Sequence, residues 1–347
     1  MENNTHKRRV RYSGTHPKHF DEKYKEHSPE KYADTVERVI QKGNTPAGMH
    51  ISIMVEEILE FLNIKPGQIG LDATLGYGGH TKAMLEQLKG QGHITALDID
   101  PIESSKTRQR LEAQGYASDI LTIKNINFRD IDIFEAEGKK FDFVLADLGV
   151  SSMQIDNPQR GFSYKVDGEL DLRLNPNTGV SAADRISNID RDELEAMLIE
   201  NADEVYAKEI SEAIINYVRK SGKIDTTTKL RTIIEEALSF IPEKERKELV
   251  KKSCQRTFQA IRIDINSEYE VLYDFLEKLP SILAPNGRVA ILTFHSGEDR
   301  LVKKSFKSLK REGIYKEIAS DVTRPSSTEC NRNPRARSTK LRWAVKN

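Results

Sequence analysis

The sequence predicts an α/β fold: a doubly wound parallel sheet interrupted by an inserted helical domain. Three observations predict it. Short apolar runs alternate with helical patterns from His50 to Ser152, the mark of a parallel sheet wrapped by crossover helices. The alternation stops from Asp167 to about Arg256, where helical periodicity dominates. It resumes between Ser267 and Val345. A chain of 347 residues has room for two domains, or for one with an insertion, at ~150 residues per domain. It can also bury a core without disulfides or metal.

Each element has its own local reason. Ile53, Val55, Ile58, Leu59 and Leu62 recur at helical spacing, and Pro66-Gly67 ends that helix. Ile69 to Thr74 reads as a strand running into Gly76-Tyr77-Gly78-Gly79-His80, and Thr81 to Leu88 as the next helix. His93 to Leu97 is a strand ending at Asp98, Ser104 to Gln114 a helix, and Ile120 to Lys124 a strand. Phe141 to Ala146 is a strand ending at Asp147. In the insertion, Leu194, Met197 and Leu198 form one apolar stripe. Ile210, Ile214, Tyr217 and Val218 form a second, and Leu230, Ile233, Ile234 and Leu238 a third, with Thr226 to Thr228 as N-cap region. Ser267 to Leu283 is a helix, Pro285-Asn286-Gly287 a turn, Arg288 to Phe294 a buried strand, and Lys340 to Val345 a final strand. The domains are thus 45–155 with 257–347, the insertion 156–256, and a charged extension 1–44 with a short helix at Pro29 to Gln41. That extension reads as a solvated tail rather than an RNA-touching arm.

Composition removes several function classes. Lys plus Arg number 54 and Asp plus Glu 54, which excludes a uniformly basic nucleic-acid coat but not local basic patches. No apolar run approaches the ~20 residues of a membrane span. Met1 to Arg11 is polar and basic with no apolar core behind it, unlike a secretory signal. The two cysteines, Cys254 and Cys330, are not in metal-ligand spacing, so a disulfide scaffold and a cysteine zinc site are excluded and a reducing cytoplasm fits.

Five segments carry chemistry. In Asp72-Ala-Thr-Leu-Gly76-Tyr-Gly78-Gly79-His80, glycines between strand and helix let a ligand approach the backbone. Asp98, at the end of the second strand, is placed to accept ribose hydroxyls. A plain tight turn is the alternative. His80 replaces the third glycine of the dinucleotide fingerprint, and Asp72 could face a cationic group, so S-adenosylmethionine is favoured over a dinucleotide. Asp147 ends the fourth strand, at the ligand crevice of an open sheet; there it can orient the lone pair of an exocyclic amine, although a turn or cap role is the alternative. The loop from Asp156 to Arg173 interleaves Arg160 and Phe162 with glycines, suiting contact with an unpaired nucleotide or simple packing. Phe294-His295-Ser296-Gly-Glu298-Asp299 lacks a nucleophile elbow, so it reads as a substrate-side polar cluster rather than a hydrolase triad. Arg332, Arg335 and Arg337 form a basic stretch for phosphates or a solvated loop.

Taken together, these segments resemble the ribosomal small-subunit RNA methyltransferase H family, also called MraW. The resemblance runs from about His50 to Val345. It rests on Asp72 to His80, Asp147 to Asp156, Arg160-Gly-Phe-Ser163, Leu170-Asp-Leu-Arg173, Thr257-Phe-Gln-Ala-Ile-Arg262, Phe294 to Arg300 and Asn333-Pro-Arg-Ala-Arg-Ser338. It implies a Rossmann-like class I methyltransferase that uses S-adenosylmethionine to methylate the exocyclic N4 of a cytidine in the decoding region of small-subunit ribosomal RNA, free or in a subunit particle. It implies cofactor contacts at Gly78, Gly79, His80, Asp98, Phe128, Asp147 and Gln154, with Asp147 positioning the amine and no metal. Arg160, Phe162, His295, Arg332, Arg335 and Arg337 are the RNA candidates, and the helical insertion corresponds to the RNA-recognition domain. The chain departs from the family pattern at Gly297, where Leu is usual, at Asn201-Ala-Asp-Glu204 in place of Tyr-Gly-Glu-Glu, and at Glu169 in place of Pro. A non-catalytic ribosome-assembly factor is the second reading, opposed by the intact Gly-Gly-His, Asp98 and Asp147. A nicotinamide-dependent oxidoreductase is the third, opposed by His80.

Overall fold

The computed structural model describes residues 52–347; the extension 1–44 and its helix at Pro29 to Gln41 lie outside the described residues. Helix α1 (Val55–Leu62) leads into β1 (Ile69–Asp72), α2 (Gly79–Leu88), β2 (His93–Leu97), α3 (Pro101–Ala113), β3 (Leu121–Lys124), α4 (Asp132–Ala136), β4 (Phe141–Asp147) and α5 (Ser152–Asp156). Helix α3 starts at Pro101 rather than Ser104. Proline suits the first helical position, and the Asp100 side chain accepts from the Ile102 and Glu103 N–H groups as N-cap.

The insertion carries α6 (Ala182–Asn188), α7 (Arg191–Ala202), α8 (Ala207–Ser221), α9 (Thr227–Ala237) and α10 (Glu243–Asn266). The apolar stripes expected from the sequence converge: Leu194, Leu198, Ile210, Ile214, Leu230 and Ile234 share one core with Phe258 and Ile261. The boundary drawn at residue 256 therefore falls inside α10, whose 24 residues continue the insertion's core into the segment that rejoins the sheet. Then follow α11 (Glu268–Ile282), β5 (Leu283–Thr293), α12 (Ser296–Arg311), β6 (Tyr315–Ile318), α13 (Ser327–Arg332) and β7 (Lys340–Lys346). The expected turn at Pro285-Asn286-Gly287 is an irregularity within β5: Phe141 pairs with Leu283, but Phe143 with Arg288.

Among the described residues, seven strands form one sheet in the order β3-β2-β1-β4-β5-β7-β6. The sheet is mixed rather than wholly parallel, because β7 runs antiparallel to both β5 and β6. Alternate residues feed opposite faces. Val144, Ala146, Val289 and Ile291 meet Leu272, Phe275 and Leu279 of α11 and Phe306 of α12. Phe143, Leu145, Ala290 and Leu292 meet Ile58 and Leu62 of α1 and Met84 and Leu88 of α2. Each buried Val, Leu, Ile, Phe or Met side chain among these is worth roughly 1.5–3 kcal/mol. The chain order reverses between β1 and β4, so the crevice at their carboxyl ends is the ligand position of an open α/β sheet. Among the described residues no helix is long and apolar enough to cross a membrane.

Candidate functional site

The loop after β1 is built from backbone bonds. The Gly76 N–H donates to Asp98 Oδ2 at 2.9 Å, and Asp98 Oδ1 accepts from the Asp100 N–H at 2.8 Å. The Thr107 hydroxyl donates to the Gly76 carbonyl at 2.7 Å, so the loop is tied to β2 and α3 together. Burial pushes the Asp98 carboxyl up to about 7, with the Asp100 and Glu103 charges adding to it, against the two backbone N–H bonds. The glycines differ in cause. A Cβ on Gly79 would lie 2.0 Å from Ser52 Oγ, and one on Gly78 2.8 Å from Thr107 Cγ2. Packing against Ser52 accounts for Gly79, whereas Gly78 combines the Thr107 contact with a left-handed φ of +81°. Gly76 is the open one: its φ is +48° and the nearest atom to an added Cβ is the Thr74 carbonyl at 3.9 Å.

Four further carboxylates lie at or beside the crevice. Asp72 ends β1, fully buried, its Oδ2 accepting from the Thr81 hydroxyl at 2.6 Å and its Oδ1 from the Thr74 N–H at 3.0 Å. Burial raises its carboxyl nonetheless. Asp147 ends β4, its own N–H donating to Thr74 Oγ1 at 2.6 Å. Its Oδ2 lies 3.4 Å from His80 Nδ1, while Oδ1 is buried with no hydrogen-bond partner. Burial lifts the Asp147 carboxyl to about 6; His80 opposes this, and Asp72 and Glu298 add to it. Burial also works to raise Glu298. The His295 contact, the Phe294 N–H and the Arg262 guanidinium outweigh it and hold that carboxyl below its usual range. His295 Nε2 is 3.2 Å from Glu298 Oε1 but makes no aligned hydrogen bond. Glu268 joins the same cluster and is already held by Arg262, at 2.8 and 3.0 Å.

Partly or wholly buried acids with an orphaned oxygen are costly, and a cationic ligand in the crevice would relieve that cost. The open Gly76 face, Asp98 at the strand end and the unpartnered Asp147 Oδ1 fit a sulfonium cofactor with a ribose.

The remaining sequence candidates fall into two groups. His80 is buried, its Nε2 2.9 Å from the Ile53 carbonyl, so it links the segment before α1 to Asp147. Phe128 follows β3 and packs edge-on against Phe275, with ring centroids 5.2 Å apart. Gln154 is buried. It closes the capping box of α5 with Ser151 and donates to Asp100 Oδ2 at 2.9 Å. Arg160 and Phe162, expected at an RNA surface, turn inward. Arg160 is buried, 2.6 Å from Asp100 Oδ2, and donates to the Arg173 and Leu174 carbonyls. Phe162 belongs to the insertion's core. Each thus meets a partner inside the protein. His295 caps α12. Arg332, Arg335 and Arg337 are exposed, Arg335 reaching Asp156 at 2.9 and 3.1 Å.

The residues that sequence reasoning missed are those that fasten the site: Thr74, Thr81, Arg262 and above all Asp100, which serves α3, Gln154 and Arg160 at once. Asp100 precedes Pro101, an N-cap signal legible in the sequence; its distant partners left no local trace.

A family model described as the MraW methylase family matches residues 47–347. The chain is 69% identical over 341 residues to the ribosomal RNA small subunit methyltransferase H 1 of Lachnoclostridium phytofermentans, covering 98% of this chain and 93% of that one. It is 66% identical over 345 residues to the protein of the same name from Agathobacter rectalis, covering 99% of each. A ribosomal RNA small subunit methyltransferase H from Finegoldia magna is 37% identical over 314 residues, 86% of this chain and 98% of the relative.

Proposed function

The chain belongs to the MraW methylase family, and from that premise we propose that this S-adenosylmethionine-dependent ribosomal RNA methyltransferase acts on the exocyclic N4 of a cytidine in the decoding region of the small subunit. The observation that carries the reading is Asp147: a carboxylate at the switch point between β1 and β4 whose buried Oδ1 has no partner in the protein.

S-adenosylmethionine, when bound, supplies an electrophilic methyl group on a cationic sulfur. The protein's part is placement and charge. Asp72, Asp147 and Glu298 give the crevice a negative potential that favours a cation over a neutral ligand. Asp98 keeps lone pairs on both oxygens for ribose hydroxyls while its backbone bonds fix its orientation. We read Asp147 Oδ1 as the acceptor for an amine N–H, an arrangement that aims the nitrogen lone pair and supplies much of the catalysis by alignment. The same oxygen, with the carboxyl near 6, can take up the proton that the amine sheds. The cytidine must leave its stack to reach this depth. The helical insertion and the exposed Arg332 and Arg337 are the surfaces we assign to the rest of the RNA, and we place the protein in the cytoplasm with that substrate.

Nucleoside mass spectrometry of small-subunit RNA from a strain lacking this gene tests the proposal. N4-methylated cytidine should be absent at one decoding-region position and return with the native gene. An unchanged nucleoside profile would overturn the cytidine assignment.

A further inference from the structure

Gly297 lies in the first turn of α12, two residues after His295. A Cβ there would fall 2.0 Å from Tyr269 Oη and 2.6 Å from its Cζ. The backbone does not demand glycine, since Gly297 is not among the residues with positive φ. The tyrosine ring does, because it occupies the volume any side chain at 297 would need.

The ring is anchored at its far end. The Tyr269 hydroxyl donates to the Asn201 carbonyl at 3.2 Å, and Asn201 in turn donates from its side chain to the Ala260 carbonyl at 3.1 Å. The ring centroid stands 5.9 Å from that of His295. Burial, then the Glu298 and Glu268 charges, push the hydroxyl up to about 12, so it stays a proton donor through the neutral range. Tyr269 therefore joins the last turn of α7, in the helical insertion, to the first turn of α12, at the site.

We propose that Tyr269 is a positioning residue: through Asn201 and His295 it sets the helical insertion against the carboxyl end of the sheet, so that an acceptor held by the insertion meets Asp147 in register. The proposal rests on the reading of the chain as an RNA methyltransferase. It predicts a particular kinetic split. Loose placement lowers the rate within the bound complex and leaves affinity for either partner nearly native.

The test compares native protein with Tyr269→Phe, Tyr269→Ala, Gly297→Ala and the Tyr269→Ala/Gly297→Ala pair, using small-subunit RNA and S-adenosylmethionine. Tyr269→Ala should lower kcat about tenfold or more, with the KM for RNA and the cofactor Kd within about threefold of native. Tyr269→Phe keeps the ring and should lose only about two- to fivefold, the scale of one neutral hydrogen bond. Gly297→Ala should match Tyr269→Ala, because its methyl displaces the ring. The double variant should be no worse than Tyr269→Ala alone, since no ring remains to displace. Native kcat in Tyr269→Ala, or losses that multiply in the double variant, overturns the inference. If Tyr269→Ala does not fold, Tyr269→Phe decides, and native kcat there overturns it. Absence of transfer by the native protein would instead overturn the functional reading, and this inference with it.

Discussion

His80 Nδ1 stands 3.4 Å from Asp147 Oδ2, and the other ring nitrogen, Nε2, is 2.9 Å from the Ile53 carbonyl. A carbonyl only accepts, so Nε2 carries hydrogen and donates. A neutral His80 then turns a lone pair towards a carboxylate, and the contact is favourable only with a proton between Nδ1 and Oδ2. The pair is fixed at one end to the segment before α1, and at the other Asp147 Oδ1 is left without a partner.

That arrangement makes Asp147→Asn informative twice. Methyl transfer should fall by roughly 10²-fold or more in single-turnover assays at saturating cofactor. Stability should move the other way. A carboxyl raised in the folded state binds extra protons there, so folding weakens as pH climbs from about 4 to about 6. At pH 8 the amide variant escapes that cost and should be more stable by about 1–3 kcal/mol. Denaturant titrations of both proteins at pH 8 check this; a less stable variant would mean the carboxylate is better paired than its geometry indicates.

Cofactor binding should carry the mark of Asp98. With its carboxyl near 7, the ionised form gains ground between pH 6 and 8, and a carboxylate accepts hydroxyl protons better than the neutral acid. S-adenosylmethionine affinity should therefore rise over that interval in calorimetry. Asp98→Ala should flatten the rise and weaken binding by roughly 1.5–3 kcal/mol. Unchanged affinity in the folded variant removes Asp98 from the ribose site.

Arg160 offers a contrast between packing and RNA contact. Removing it strands Asp100 as a buried charge, a change that costs about 3–5 kcal/mol. Arg160→Ala should lower the denaturant midpoint accordingly, while the salt dependence of RNA binding in the folded fraction keeps its native slope. A shallower slope with native stability would return Arg160 to the RNA surface.

Arg337 should behave in the opposite way. It is exposed in the basic stretch, so Arg337→Ala should leave unfolding unchanged. If it meets a phosphate, the log–log salt slope of RNA affinity should drop by roughly 0.7–0.9. Arg335, engaged with Asp156, should change the slope less. Slopes that ignore both substitutions make this stretch a solvated loop.

What could be read in advance follows from the range of each signal. Strand and helix periods are local, so β1, β2 and β4 and the crevice acids Asp98 and Asp147 were legible. The orientation of β7 was not, because Lys340 to Val345 alternates identically whichever way its neighbour runs. Phe162 and Arg160 look the same in a sequence whether they face water or a core. The bond from Arg160 to Asp100 spans 60 residues, and nothing at either end signals the other. Gly297 was conspicuous as a departure, but its cause, Tyr269, sits on a different helix.

The position of β7 imposes a timetable on the molecule. The loop after β1, Asp98 and Asp147 all belong to the first half of the chain, and β4 can pair with β1 as soon as both are made. Strand β5 gains its second neighbour only when Lys340–Lys346, last of the sheet's strands in chain order, emerges and Lys340 and Arg342 lock onto Asp299. Until then Val289 to Leu292, wholly buried in the finished protein, present an apolar ribbon with unpaired amides, the kind of edge that recruits other chains. Damage to β7, which holds none of the crevice carboxylates, would thus show itself as clumping of newly made protein rather than as a slower enzyme.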